Sequence, residues 1–352
     1  MTTPASTFRD IVENLTTSTK VAILTQDNPD PDAMGAAVGI SYLCRRLNSE
    51  LQAVDIFYGG TISHPQNRTM VNVLGLQMRR MKQFQKEDYQ LVILVDVAST
   101  GCKNLKSTDV TPHIIIDHHR DDPDGDYLLK DIRPIGAAST IVTSYFREYG
   151  FDLETEEENG INNIANMATG LLVGIKTDTS ELTTANVTPL DFQCYEYLLK
   201  LTDRSKLYQI INYSIPHYLY PLKASAFETM EIQHSVAVAG LGIIPPSQRD
   251  AIPIIADELL RMEGVETVVS YAVIEGHIVA SLRTTNDGIE MNSFCHQIFG
   301  EEFSGGKIGA GGASVPLGFL TPHDQSENAR GQVWEAVRAV VNHRVFKVAS
   351  SG

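Results

Sequence analysis

Three short apolar runs in this chain each lead directly into acids or histidines. Residues 21–24 (VAIL) precede TQDNPDPDAMGAA at 25–37. LVILV at 91–95 precedes Asp96, and HIIID at 113–117 precedes His118 and His119. A strand buried on both faces reads as a continuous apolar run, where a half-exposed strand alternates. Such runs, separated by helix-patterned segments, indicate a parallel sheet covered on both faces. In that sheet every strand delivers its carboxyl end to one edge, the edge where open α/β sheets bind ligands. The fold that these runs demand therefore gathers the acids and histidines onto one rim.

Pro29 and Pro31 lack an N–H and bias their predecessors toward extended backbone, so Asp30 and Asp32 are expected on a stiff loop. Asp32 stands where a helix N-cap belongs, ahead of a helix over 34–47. Two carboxylates there suit a cation site, and they equally suit a turn and a cap. Further strands are expected at 51–58, 91–96 and 113–117. Helices are expected over 1–19, near 67–74, from 138 onward, and through an apolar segment that ends at Asp178 in KTDTS.

A length of 352 residues exceeds one ordinary core. The expected division is a domain over 1–200, a helical connector over 201–230, and a smaller α/β domain over 231–346. In the latter, TVVSYAVIEGHIVASLRT reads as a hairpin turning at Glu275-Gly276, and a glycine-rich SGGKIGAGGAS follows a helix near 291–299. The site is expected in a cleft between the two domains. No apolar run is long enough to span a bilayer, and the first residues lack the basic and apolar regions of a signal peptide, so the expected compartment is the cytoplasm. Cys44, Cys102, Cys194 and Cys295 have no paired spacing and read as buried free thiols. The formal net charge of -15 excludes a broad surface for long DNA or RNA, while a short anionic substrate remains allowed. Glu154 to Glu158 read as a solvated helix start.

Hard carboxylates with one or two imidazoles suit Mn²⁺, or Mg²⁺ less tightly, better than a thiolate-rich zinc site does. The set NPDPDA at 28–33, Asp96, Asp117-His118-His119 and TDT at 177–179 resembles the DHH phosphoesterase superfamily. SLRTTN and GGKIGAGG resemble the DHH-associated C-terminal domain, which holds the non-reacting part of the substrate. The resemblance covers nearly the whole chain, and the layout looks closest to hydrolases of short oligonucleotides and nucleotide phosphates.

That resemblance implies two manganese ions. Asp30 and Asp96 would hold one, while Asp32, Asp96, His118 and Asp178 would hold the other, with Asp96 as the bridge. His119 would contact the scissile phosphate or assist the leaving group, its alternative being a structural hydrogen bond. Asp117 would orient its neighbours. Two departures stand out: Gln26 occupies the place of a metal-binding histidine, and Lys307 follows Gly305 and Gly306 where a histidine is usual. The glycines would let backbone approach a phosphate, although a glycine-rich loop by itself is a flexible turn. Asn67, Arg68, Arg120 and Arg283 are candidate phosphate contacts, with a surface arginine as the alternative for Arg68. Weaker candidates are His64 and His277.

The implied activity is hydrolysis of short oligoribonucleotides, dinucleotides or nucleotide bisphosphates by a two-metal-activated water. Runners-up are a pyrophosphatase or exopolyphosphatase, and a non-catalytic nucleotide sensor suggested by Gln26 and Lys307. The partners expected are a small nucleotide or short RNA, with no membrane and with a homodimer allowed.

Overall fold

A computed structural model describes residues 2–97, 110–119, 123–151, 153, 163–307, 309–321 and 326–350. Its chain divides into two compact units, Met1–Ser214 and Ile215–Gly352. The segment expected as a connector is split between them. One of its helices, Arg204–Ile211, lies in the first unit, and the other, Leu219–Thr229, lies in the second.

The first unit runs α1 (Pro4–Glu13), β1 (Lys20–Leu24), α2 (Pro31–Leu47), β2 (Ala53–Tyr58), α3 (Pro65–Leu74), β3 (Met78–Arg80), β4 (Leu91–Val95), β5 (Ile114–Asp117) and β6 (Leu129–Ile132). It continues through α4 (Ala138–Tyr149), α5 (Ile164–Asp178), α6 (Pro189–Leu201) and α7 (Arg204–Ile211). The sheet order is β3-β2-β1-β4-β5-β6, and every pairing is parallel. The chain leaves β1 in one direction for β2 and later returns on its other side as β4. The carboxyl ends of β1 and β4 therefore flank the crevice where strand order reverses.

Register then fixes which residues meet at that crevice. Leu24 pairs with Leu94, which brings Gln26 and Asp96 out side by side. Val95 pairs with Ile116, and the Asp96 N–H donates to the Ile116 carbonyl at 2.9 Å, setting Asp96 beside Asp117.

Both faces of the central strands are buried, which explains the unbroken apolar runs. Val21, Ile23, Ile93 and Ile116 pack with residues of α2, α4 and α5. Ala22, Leu24, Leu94 and Ile115 pack on the other side with Met81 and Phe84. Among the described residues Met81 of a short 3-10 turn and Phe84 just after it contribute to that second layer. The helix after the first motif begins at Pro31, with Asp30 as its N-cap, and not at Met34 with Asp32 as the cap. Pro is well suited to the first helical position, where its missing N–H costs nothing.

α2 lies close against α5. A Cβ on Gly35 would sit 2.4 Å from the Gly170 carbonyl oxygen, and one on Gly174 would sit 2.3 Å from Ser139 Oγ and 2.9 Å from Asp32 Oδ1. Glycine at these positions lets the helices that carry Asp32 and Asp178 approach to backbone contact.

The second unit comprises α8 (Leu219–Thr229), β7 (Glu231–Gln233), β8 (Val236–Ile243), α9 (Ala251–Leu259), β9 (Thr267–Ile274), β10 (His277–Thr284), α10 (Met291–Phe299), β11 (Ser304–Lys307), β12 (Ala310–Pro316) and α11 (Glu327–Ala349). Its sheet is mixed, in the order β11-β12-β10-β9-β8-β7, and only the β8–β9 pairing is parallel. α8 and α9 supply the core on one face, and α10 and α11 on the other. The β9–β10 hairpin turns at Glu275 (φ 47°) and Gly276 (φ 74°), the two positive φ values that a tight two-residue turn requires.

The glycine-rich stretch is not a loop. It forms β11 and β12, and its glycines make room for α10. A Cβ on Gly311 would lie 2.4 Å from Cys295 Sγ, and one on Gly306 would lie 2.8 Å from Met291 Cγ. Cys44, Cys194 and Cys295 are buried free thiols, while Cys102 lies outside the described residues.

Replacing Gly35 by Ala is expected to lower stability by about 1–3 kcal/mol, the usual cost of overpacking, because the neighbour is backbone and cannot rotate away. The measurement is the midpoint of urea unfolding; an unchanged midpoint would show that α2 and α5 are not in backbone contact.

Candidate metal centre

Eight of the residues singled out from the sequence meet at the rim of the parallel sheet. Asp32 projects from the first turn of α2 and is completely buried. Its Oδ2 accepts the Ala138 N–H at 2.7 Å, and its Oδ1 accepts the Ser139 N–H at 2.8 Å. Those are the opening N–H groups of α4, whose own N-cap residue, Ala137, has no side chain to cap them. Asp32 thus caps a second helix from outside, at the end whose dipole favours negative charge.

Asp96 follows β4 in the left-handed region, with φ 59°, and is buried. A non-glycine residue held there stores backbone strain, a frequent feature of functional sites. Asp178 closes α5, where the last carbonyls make a second carboxylate unwelcome. His118 stands between these acids. Its Nε2 lies 3.2 Å from Asp178 Oδ2, 3.4 Å from Asp96 Oδ1 and 3.9 Å from Asp32 Oδ2. Its Nδ1 meets the Ile135 carbonyl at 3.1 Å. A carbonyl only accepts, so Nδ1 carries a proton; Nε2 faces the acids and donates to them when the ring is charged, while in the neutral ring it leaves a lone pair there for a cation.

With the ring in that form, buried Asp96 Oδ1 has no hydrogen-bond partner among the described residues. The carboxylates of Asp32, Asp96 and Asp178 all lie within 3.9 Å of His118 Nε2, and with a bare buried oxygen among them they make a candidate cation site by composition and by charge. Hard oxygens with one nitrogen fit Mn²⁺ or Mg²⁺.

Proton affinities describe the same imbalance. Burial holds the Asp96 carboxyl well above the ordinary range, and the charges of Asp30 and Asp32 add to it. Burial also raises Asp32, against the pull of His118. Asp178 is pushed up to about 7 by burial and then by Asp32. Burial alone lowers His118, but Asp96, Asp32 and Asp178 outweigh it and lift the ring to about 10. In the metal-free chain a proton on Nε2 partly takes the place of a cation.

His119 is oriented by Asp117. Asp117 Oδ1 accepts from His119 Nδ1 at 2.7 Å and from the N–H groups of His118 and His119 at 2.7 and 3.2 Å. The His119 side chain is 42% exposed, so Nε2 remains available to a ligand.

Gln26 faces the acids through its amide nitrogen. Its Nε2 donates to Asp30 Oδ2 at 2.9 Å and to Asp96 Oδ2 at 3.5 Å, while Asp30 Oδ1 caps the Ala33 N–H at 2.9 Å. The amide oxygen in that place would face two carboxylates, so the nitrogen belongs there.

The expected phosphate contacts fare differently. Asn67 donates to the Pro29 carbonyl at 3.1 Å and so fastens the first motif, an internal task. Arg68 is exposed on α3. Arg120 lies outside the described residues. In the second unit Arg283 is tied to Asp257 at 2.6 Å and to Ser281 Oγ at 2.9 Å, so its charge is partly neutralised where a free cation was expected. Gly305 and Gly306 are strand residues, and the Gly306 N–H is taken by Asn292 Oδ1 at 2.9 Å. Lys307 ends the same strand and is exposed.

Sequence reading missed the loop that orients the ligands. The Arg133 N–H donates to the Asp117 carbonyl, Ile135 fixes His118, and Ala138 and Ser139 hold Asp32. Buried Asp191 receives the Gly136 N–H and Thr140 Oγ1, and Asp131 pairs with Arg133 and Tyr145. Backbone groups leave no trace in residue identity. The one available hint was Gly136 ahead of a helix, where a Cβ would lie 2.6 Å from both Asp191 and Thr179.

The structure thus places a carboxylate–imidazole cluster at the switch point of a parallel α/β sheet, where such folds bind ligands. Residues 20–175 match the DHH family, N-terminal domain. The chain is 32% identical over 322 residues to an uncharacterized protein of Methanocaldococcus jannaschii, covering 91% of this chain and 63% of that protein. It is 29% identical over 166 residues to a probable manganese-dependent inorganic pyrophosphatase of Streptococcus agalactiae, covering 46% of this chain and 48% of the relative. The chain thus spans less than two thirds of one of these proteins and about half of the other. The crystal structure of an exopolyphosphatase-related protein from Bacteroides fragilis shares the fold, with a TM-score of 0.70, 15% identity and coverage of 96% of this chain and 97% of that one.

These proton affinities set a sign for pH dependence. Asp178, raised from its ordinary value to about 7, keeps a proton in the folded state that the unfolded chain has already released, so metal-free stability falls as pH rises toward 7. His118 acts in the same direction: its contribution is full below its unfolded value of 6.5 and is lost as pH approaches about 10. A divalent cation held among these groups would relieve both effects, adding about 2.7 kcal/mol at a hundredfold excess over its dissociation constant. The rise in melting temperature on adding Mn²⁺ is therefore expected to be larger at pH 8 than at pH 5.5. Equal increments at the two pH values would contradict the assignment.

Proposed function

We propose that this protein is a divalent-metal-dependent phosphoesterase acting on short nucleotide substrates: dinucleotides, short oligoribonucleotides or nucleotide bisphosphates. The observation that carries the reading is the set of three carboxylates, Asp32, Asp96 and Asp178, around His118 Nε2, with Asp96 Oδ1 buried and without a hydrogen-bond partner among the described residues. Asp32, Asp96, Asp178 and His118 would hold the metal, with manganese the ion best matched to three carboxylates and one imidazole. When bound, such a cation polarises a phosphoryl oxygen and acidifies water. Asp117 holds His119 with its Nδ1 proton directed inward, so that in the imidazolium form the second proton, on Nε2, faces outward to donate to the phosphate or to pass to the leaving oxygen, the ring ending neutral. Ile135 and the start of α4 keep His118 and Asp32 from turning away.

Substrate charge favours dinucleotides and short oligonucleotides, with one charge per diester, over a highly charged anhydride, and gives no advantage to bisphosphates. Several basic side chains of the first unit are already engaged. Arg133 pairs with Asp131, Lys176 with Glu181, and Arg80 with the Gly60 carbonyl. A net charge of -15 also disfavours large polyanions. Inorganic pyrophosphate is the second reading, supported by the match to the streptococcal pyrophosphatase over 46% of this chain.

The test is hydrolysis with Mn²⁺ across dinucleotides, adenosine 3',5'-bisphosphate, RNAs of graded length, pyrophosphate and polyphosphate. Fastest turnover is expected on the shortest nucleotides, and Asp96→Ala should abolish it. His119→Ala should lower kcat by about 10²–10⁴-fold, the usual contribution of a positioned acid. Preference for pyrophosphate would select the second reading. Absence of turnover on every member, with metal bound, would leave a nucleotide sensor.

A further inference from the structure

Asp96 has two oxygens, and the structure treats them differently. Oδ1 is buried, lies 3.4 Å from His118 Nε2 and has no hydrogen-bond partner among the described residues. Oδ2 faces the Gln26 amide at 3.5 Å. The same amide nitrogen donates to Asp30 Oδ2 at 2.9 Å, and Asp30 Oδ1 is spent on the Ala33 N–H. Asp30 Oδ2 and Asp96 Oδ2 on the Gln26 side therefore share a donor, whereas Asp96 Oδ1 on the His118 side has none among the described residues.

We propose that the Gln26 amide closes the cation position between Asp30 and Asp96, so that this chain holds one divalent ion, at Asp32, Asp96, His118 and Asp178, and not the two that its motifs imply. The proposal rests on the reading of those four residues as a metal site.

Three features carry it. A primary amide brings N–H donors to the point where an ion would sit, so a cation entering there must displace bonds to two carboxylates. Rotating the amide offers the ion only a neutral oxygen, a weaker ligand than an imidazole lone pair or a carboxylate. The strand pairing Leu24–Leu94 sets residue 26 beside residue 96 through backbone, so the amide is held at the position it blocks. The first cation position does not fit an ion with these residues, and the second does.

Counting ions separates this from the function itself. Purified chain stripped of metal and titrated with Mn²⁺ is expected to bind one ion by calorimetry and by elemental analysis after dialysis. Its electron paramagnetic resonance spectrum should be the six-line pattern of an isolated ion. Gln26→His places a lone pair toward the same two carboxylates and should bind two ions per chain, with an exchange-coupled spectrum. Gln26→Glu, which supplies a charged ligand of the same length, is the second route to two ions if the histidine variant folds poorly. Circular dichroism melts confirm that each variant is folded.

Two ions in the unaltered chain would overturn the inference while leaving the metal centre standing. One ion in the unaltered chain and in both folded variants would show that Gln26 is not what closes the position. No ion in the unaltered chain would remove the metal centre, and the proposed activity with it.

Discussion

The capping of α4 by the Asp32 carboxylate is the interaction on which the site is built. Removing a carboxylate from water costs several kcal/mol even after the surroundings relax. Two hydrogen bonds from backbone N–H groups to a charged acceptor return about 1.5–3 kcal/mol each, together with the favourable end of the helix dipole. The two sums are close, and the raised proton affinity of Asp32 shows that burial still wins. The remainder is left for a positive charge to supply. The helix end thus makes a fully buried acid tolerable without satisfying it, and an acid in that condition binds ions readily.

Strand identity, sheet class and the rim location were legible in the sequence because each follows from a repeated pattern. VAIL, LVILV and IIID are apolar on both faces, and a parallel sheet is the arrangement that buries both. The gathering of Asp96, Asp117, His118 and His119 follows from strand ends alone. Less legible were features set by contact. Asn67 looked like a phosphate ligand but binds the Pro29 carbonyl, and Arg283 looked free but is paired to Asp257. Residue type announces a charge or an amide without announcing its partner.

The glycine-rich stretch shows the same limit from another direction. Glycines suit a phosphate loop, a flexible turn and a strand pressed against a helix equally well. What decides among them is Met291 and Cys295 on a helix more than ten residues away, through the space their side chains take. The same steric economy recurs in the first unit, where Gly35 and Gly174 bring two ligand-bearing helices together.

The segment from Arg133 to Ser139 grips the Asp117 backbone, the His118 ring and the Asp32 carboxylate within seven residues. Asp191 and Asp131 in turn anchor that segment. Two ligands from distant parts of the chain therefore share one mechanical support and cannot be adjusted independently. A displacement of the loop would release both together, so the two side chains are held or freed as one unit.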